Sequence, residues 1–224
     1  MFFSRRGFLV TLALFVIVAG IFALWPSLDL AVSHALYIDG EGFVGRGSVW
    51  SGVRLFFRVL PFVALAAFAA LYVCRGRGVS VPYAPSERAL VFLAATLAIG
   101  PGLIVNLGLK DHAHRPRPTQ TRDFGGPYEF RPWDRFDGGC KKNCSFVSGE
   151  ASQGFWMLAP ASLAPPPFAP LAIGAALAVG VAASFVRLAE GGHYLSDVML
   201  SGLLTILILQ IARWLVFRGQ DQPG

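Results

Sequence analysis

Four stretches of the chain, 7–25, 53–73, 89–109 and 195–217, are apolar almost without interruption, and only the last carries an Asp near its start. Each has the roughly 20 residues an α-helix needs to cross a bilayer core. A further apolar segment, 151–186, is interrupted by APPPFAP at 164–170. Successive prolines lack the backbone N–H and clash with the preceding turn, so no helix runs through them. The pattern therefore predicts two short helices joined by a tight loop, with a re-entrant hairpin as the alternative. The expected fold class is all-α: a polytopic membrane protein built as a six-transmembrane-helix bundle. No internal repeat or low-complexity linker divides it, so one domain is expected over 1–224.

Composition agrees, with 54% apolar and only 14% charged residues. The opening Ser4-Arg5-Arg6-Gly7-Phe8-Leu9 has the look of a twin-arginine export signal. The apolar run behind it is long for a signal and closes on no small-residue cleavage site. Two arginines holding the N-terminus in the cytoplasm is the better reading. Six helices then place 26–52, 110–147 and 187–194 on the outer side. Charge counting opposes this: Arg5, Arg6, Arg75, Arg77, Arg88, Arg213 and Arg218 lie inside, but a larger set lies outside, mostly between Lys110 and Lys142. The outer cations need another task, and an anion site would be one. Cys140 and Cys144 lie four apart in the same loop, with Cys74 alone near an inner turn. In an oxidising compartment the pair would close a small disulfide ring, which ranks ahead of free thiols and of a zinc site completed by His112 and His114.

Lys110 opens KDHAHRPRP, with six residues between it and Arg117. Taken alone it is a lysine snorkelling at a helix end. Further on, SFVRLAEGGHYLSDVM (184–199) puts Arg187 at a helix end, His193 after a Gly-Gly turn and Asp197 four residues later. Spaced i,i+4, the carboxylate can orient the imidazole and raise its basicity. An ionisable group inside an apolar segment normally has a partner and a function, although a purely structural His–Asp pair remains open. Ser148-Gly149 opens the helix after the polar loop. The first turn of a helix offers free N–H groups and a positive dipole end, and it can equally be an ordinary Ser cap. All three segments begin or end at one membrane face. Cations, a helix start and a His–Asp pair gathered there match a phosphoryl-transfer site, in which cations hold the non-bridging oxygens and imidazole attacks phosphorus.

At these residues the chain resembles the type-2 phosphatidic acid phosphatase family, which includes bacterial lipid A phosphatases and polyprenyl-diphosphate phosphatases. The family's first motif, a lysine, six residues and Arg-Pro, is matched by Lys110, Arg117 and Pro118. The third is matched by Arg187, His193 and Asp197. The second, normally Pro-Ser-Gly-His, reads Val147-Ser148-Gly149-Glu150 here. The resemblance implies a six-helix bundle that hydrolyses a lipid phosphate monoester without metal or cofactor. The route would be a phosphohistidine on His193, oriented by Asp197. Lys110, Arg117, Arg187 and the amides of Ser148 and Gly149 would bind the phosphate.

Glu150 departs from the family, whose histidine there protonates the leaving oxygen. Three readings stay open: Glu150 supplies that proton as a carboxylic acid; it orders an arginine or a substrate group while water, His112 or His114 gives the proton; or the enzyme is inactive. The segment NCSFVSGEAS looks most like bacterial lipid A phosphatases acting on the 4'-phosphate, which implies a bacterial inner membrane and a site on the periplasmic face. The motifs themselves do not separate lipid A (4'- or 1-phosphate) from undecaprenyl diphosphate or phosphatidylglycerophosphate. Residues 119–139 are expected to cover the site. Lys141 and Lys142 are expected either to meet a second anionic headgroup or to face solvent. The expected partners are the membrane and a phospholipid or lipid A substrate, with no nucleic acid and no oligomer specified. The rival from another class is a non-catalytic anionic-lipid binding or transport protein, which has no need of an imidazole backed by aspartate.

Overall fold

A computed structural model describes residues 2–109 and 112–218. Eight α-helices follow in chain order: α1 (Arg5–Leu24), α2 (Ser27–Ala35), α3 (Ser48–Gly76), α4 (Glu87–Leu97), α5 (Gly149–Trp156), α6 (Leu158–Ala161), α7 (Ala169–Ala189) and α8 (Leu195–Val216). A short hairpin of two-residue strands, β1 (Tyr37–Ile38) with β2 (Gly42–Phe43), links α2 to α3. Beyond α4 the helix continues through Ala98–Leu109 in a wider π-helical path around Pro101.

Among the described residues five helices are long and apolar enough to cross a membrane: α1, α3, the α4 continuation to Ile104, α7 and α8. The chain is thus a multi-pass, mainly helical membrane protein. The sixth expected segment differs. The proline stretch does not leave two short pieces: α7 is 21 residues long, because Pro170 lies in its first turn, where a missing N–H costs nothing. The short partner is α5 with α6, which end before the prolines and are wrapped by α3, α4, α7 and α8.

The outward faces of α1 and α3 leave Leu9, Val16, Ile17, Leu55, Phe56 and Phe62 exposed, as lipid-facing surfaces do. The interior is built on Phe92, Leu93, Trp156, Leu158 and Leu209, and the indole N–H of Trp156 donates to Thr96 Oγ1 at 3.0 Å. Small residues set the helix spacing: a Cβ on Gly154 would lie 2.8 Å from the Cβ of Ala183 and 3.1 Å from the Cα of Gly180. Close approach of this kind is how helices pack in lipid, where apolarity alone brings no gain. It holds α5 against α7, and the N-terminus of α5 is where the candidate chemistry lies.

Candidate active site

The C-terminal end of α7 and the N-terminal ends of α3, α5 and α8 meet at one face of the bundle, joined there by α2 and the loop 112–148. Short backbone hydrogen bonds tie these parts together. Gly45 N–H donates to the Ala189 carbonyl at 2.7 Å, and Thr119 N–H donates to the Gly191 carbonyl at 3.1 Å. Between them lies a cavity of about 290 Å³ lined by Arg46, Arg54, Arg117, Thr119, Arg187 and Glu190, among others.

Arg187 and Arg117, expected to bind an anion, both reach this cavity. Arg117 is held from the side, its Nη2 donating to Asn143 Oδ1 at 2.8 Å. Gly192 is what lets the guanidinium of Arg187 fold back against the turn, since a Cβ there would lie 2.1 Å from Arg187 Nη2. Lys110, the third expected cation, lies outside the described residues. Ser148 caps α5, accepting from Ala151 N–H at 3.3 Å. Its own N–H is directed to the Asp197 carbonyl at 3.4 Å, and its carbonyl accepts from Ser201 Oγ at 2.6 Å. Ser148 therefore locks α5 to α8, and its amide is engaged within the fold. Gly149 is the buried first residue of α5.

Glu150 faces two guanidiniums, Arg187 Nε at 2.5 Å and Arg54 Nε at 2.7 Å. Burial opposes its charge, but the two arginines, Arg187 foremost, hold its pKa below the ordinary glutamate value. It is a carboxylate bracing two cations. His112 and His114, the alternative proton sources, are engaged elsewhere: their Nδ1 atoms contact the Gly108 carbonyl at 2.8 Å and the Cys140 carbonyl at 2.9 Å. Cys140 and Cys144 are joined by a disulfide. Among the described residues no cluster of three or more His, Cys, Asp or Glu side chains is arranged to hold a metal ion.

His193 is 1% exposed, and neither ring nitrogen has a hydrogen-bond partner among the described residues. Its Nδ1 lies 3.7 Å from Asp197 Oδ2, an electrostatic contact longer than a hydrogen bond. Burial, aided by the Arg187 guanidinium and resisted by Asp197, pushes its pKa down to about 3, so the imidazole is neutral at physiological pH. Asp197 is fixed by other groups: Arg115 Nη1 at 2.5 Å, Ser145 Oγ at 2.5 Å and the Tyr194 N–H at 2.8 Å.

Four residues of this assembly were not singled out by sequence. Arg115, fully buried, forks between Asp197 and Asp29, with Nη2 2.7 Å from Asp29 Oδ2 and a further bond to Ser196 Oγ at 2.8 Å. Asp29, on α2, also accepts from Ser196 N–H and Oγ at 2.8 and 2.6 Å. Arg54 enters from α3. Glu190 contacts Arg187 Nη1 and lies 3.6 Å from Arg54 Nε. The signal available for Arg54 was a charge one residue inside an apolar run, where ionisable groups seldom stand idle.

Residues 89–221 match the model of the PAP2 superfamily. The chain is 32% identical over 216 residues to the lipid A 4'-phosphatase of Francisella tularensis subsp. novicida, covering 89% of this chain and 91% of that protein. It is 33% identical over 207 residues to the lipid A 4'-phosphatase of Rhizobium leguminosarum (84% and 87% covered). It is 31% identical over 202 residues to that of Rhizobium etli (84% and 79% covered). No solved structure matches the chain significantly. A family match across more than half the chain, with relatives aligned over most of it, establishes that this protein belongs to the PAP2 superfamily and is a membrane phosphatase.

Proposed function

We propose that this protein removes the 4'-phosphate of lipid A at the periplasmic face of a bacterial inner membrane, through a phosphohistidine on His193. The observation that carries the mechanism is a buried, neutral imidazole free of hydrogen bonds, next in chain to Gly192 on the wall of an arginine-lined cavity. A nucleophilic nitrogen must be unprotonated and have an open lone pair. Asp197 faces Nδ1, which leaves Nε2 to attack. Arg117, Arg187 and Arg54 take the non-bridging oxygens, with Lys110 in the family's position for the same task. Their charge meets the negative charge of the transferring phosphoryl group. Glu150 takes only the ordering part of the second reading: as a carboxylate it holds Arg54 and Arg187 in place.

The substrate rests on the three relatives named as lipid A 4'-phosphatases. The periplasmic side is supported by the Cys140–Cys144 disulfide in the loop over the site, since such bonds persist in oxidising compartments. Purified protein in detergent with a chelator, given a bisphosphorylated lipid A, should release one phosphate and leave the 1-phosphate product by mass spectrometry. Release of the 1-phosphate alone, or turnover only of phosphatidylglycerophosphate or undecaprenyl diphosphate, would refute the substrate assignment.

A further inference from the structure

We infer that Glu190 is the catalytic residue that protonates the leaving oxygen, the task for which the family uses a histidine at the position of Glu150; this rests on the phosphohistidine reading above. Two carboxylates, Glu150 and Glu190, share the guanidiniums of Arg187 and Arg54. Glu150 lies within 2.7 Å of both cations, and it is absent from the residues that line the cavity. Glu190 lines the cavity and stands 3.6 Å from Arg54. Its carboxyl accepts from Arg187 Nη1, and the ring of His193 lies beside Asp197 on α8. A phosphoryl group on Arg117 and Arg187 would lie in the cavity that Glu190 lines, with His193 next in chain to Gly192 on its wall.

The groups facing Glu190 bear on how readily it holds a proton. Arg187 and Arg54 favour its ionised form, Glu150 opposes it, and burial, the largest influence, also opposes it, so its pKa stands above the ordinary glutamate value. An arriving phosphate dianion neutralises the two arginines and adds like charge, which raises it further. The substrate thus loads the acid that its own cleavage requires.

In the first step the Nε2 lone pair of His193 forms the N–P bond as the P–O bond to the lipid breaks, and the proton of Glu190 passes to the departing oxygen. In the second, the Glu190 carboxylate takes a proton from the water whose oxygen bonds phosphorus as N–P breaks. Phosphate leaves, and Glu190 is protonated again. The sum is monoester plus water to alcohol plus phosphate.

The test compares Glu190→Gln and Glu150→Gln on two substrates, a lipid phosphate with an alkoxide leaving group and p-nitrophenyl phosphate, whose leaving group needs little protonation. Glu190→Gln should lose roughly 10²–10⁴-fold in kcat on the lipid and less than about tenfold on the aryl ester. Glu150→Gln should lower both together. Equal losses for Glu190→Gln, or a lipid-selective loss in Glu150→Gln instead, would overturn the assignment. Should Glu190→Gln not fold, Glu190→Asp keeps the acid on a shorter stem and must show the same selectivity; equal losses there overturn the assignment as well. Wild-type turnover of both substrates, measured in the same preparation, checks the phosphatase reading separately. Its absence overturns that reading and this one with it, whereas turnover with an unchanged leaving-group dependence in the variants overturns only this one.

Discussion

Replacing Arg115 by Met removes the cation from between two buried carboxylates. Arg115 and Asp197 are fully buried and Asp29 is 1% exposed, so no water replaces the lost charge. The guanidinium makes contacts of 2.5 Å to Asp197, 2.7 Å to Asp29 and 2.8 Å to the Arg131 carbonyl, and its Cζ lies 4.4 Å from the Tyr194 ring centroid. Breaking a buried pair by deleting one partner costs about 3–5 kcal/mol, because the other charge is left uncompensated. Here two carboxylates are orphaned, so the upper end applies. That is a large share of the roughly 5–15 kcal/mol by which folded domains are stable. Arg115→Lys keeps the charge but loses the fork that reaches both partners, and should fall in between. Asp29→Asn leaves Arg115 and Asp197 as a balanced pair and should cost about 1–3 kcal/mol. The expected order of thermal stability in detergent, read by intrinsic tryptophan fluorescence, is wild type, Asp29→Asn, Arg115→Lys, Arg115→Met. Phosphate release, measured where all four remain folded, should follow the same order, because Asp197 loses its anchor beside His193. An Arg115→Met protein within about 1 kcal/mol of wild type, with undiminished kcat/KM, would refute this reasoning.

Gly192→Ala forces the Arg187 guanidinium away from a position 2.1 Å from the new Cβ, and a displacement of that size should cost on the order of 10²-fold in kcat/KM; wild-type kinetics would count against Arg187 as a substrate ligand. His193, with a folded pKa of about 3 against an ordinary 6.5, binds fewer protons in the folded state than in the unfolded one between those values. Stability should therefore fall as pH drops from about 6.5 toward 3, by up to about 1.4 kcal/mol per pH unit. His193→Asn should flatten that slope in melts taken across pH, and an unchanged slope would show that His193 is not its source. Cys74 is a free, exposed thiol near the end of α3 away from the site. A membrane-impermeant maleimide should label Cys74 only in inverted vesicles, and Cys140 and Cys144 only in spheroplasts after reduction; the opposite pattern would reverse the sidedness.

The membrane-spanning helices were legible because uninterrupted apolarity over about 20 residues has one physical use in a chain this poor in charge. The α5–α6 segment was not sized correctly from sequence, since the prolines mark where helices stop without saying which side keeps the longer piece. Arg187, His193 and Asp197 were legible as a unit because they lie within one turn and two helix ends, where local spacing fixes proximity. Asp29 and Arg115 meet 86 residues apart. Asp29 sits in a short stretch that reads as an outer loop, and its partner is hidden within the Arg-Pro repeat at 115–118, so neither carries a local signal. The role of Glu150 depends on Arg54, 96 residues away. Only the fold could show that its neighbours are two cations and not a proton acceptor.

Nucleophilic attack by His193 leaves phosphate covalently on the ring, and trapping that phosphoenzyme is the sharpest test of it. Protein mixed with lipid A labelled with ³²P at the 4'-phosphate, quenched within the first turnover in alkali and digested, should yield a labelled peptide containing His193. The label should be stable to base and labile to acid, as a phosphoramidate is, and absent from His193→Ala. A label on a carboxylate or hydroxyl side chain, or full turnover by a folded His193→Ala protein, would rule out His193 as the nucleophile.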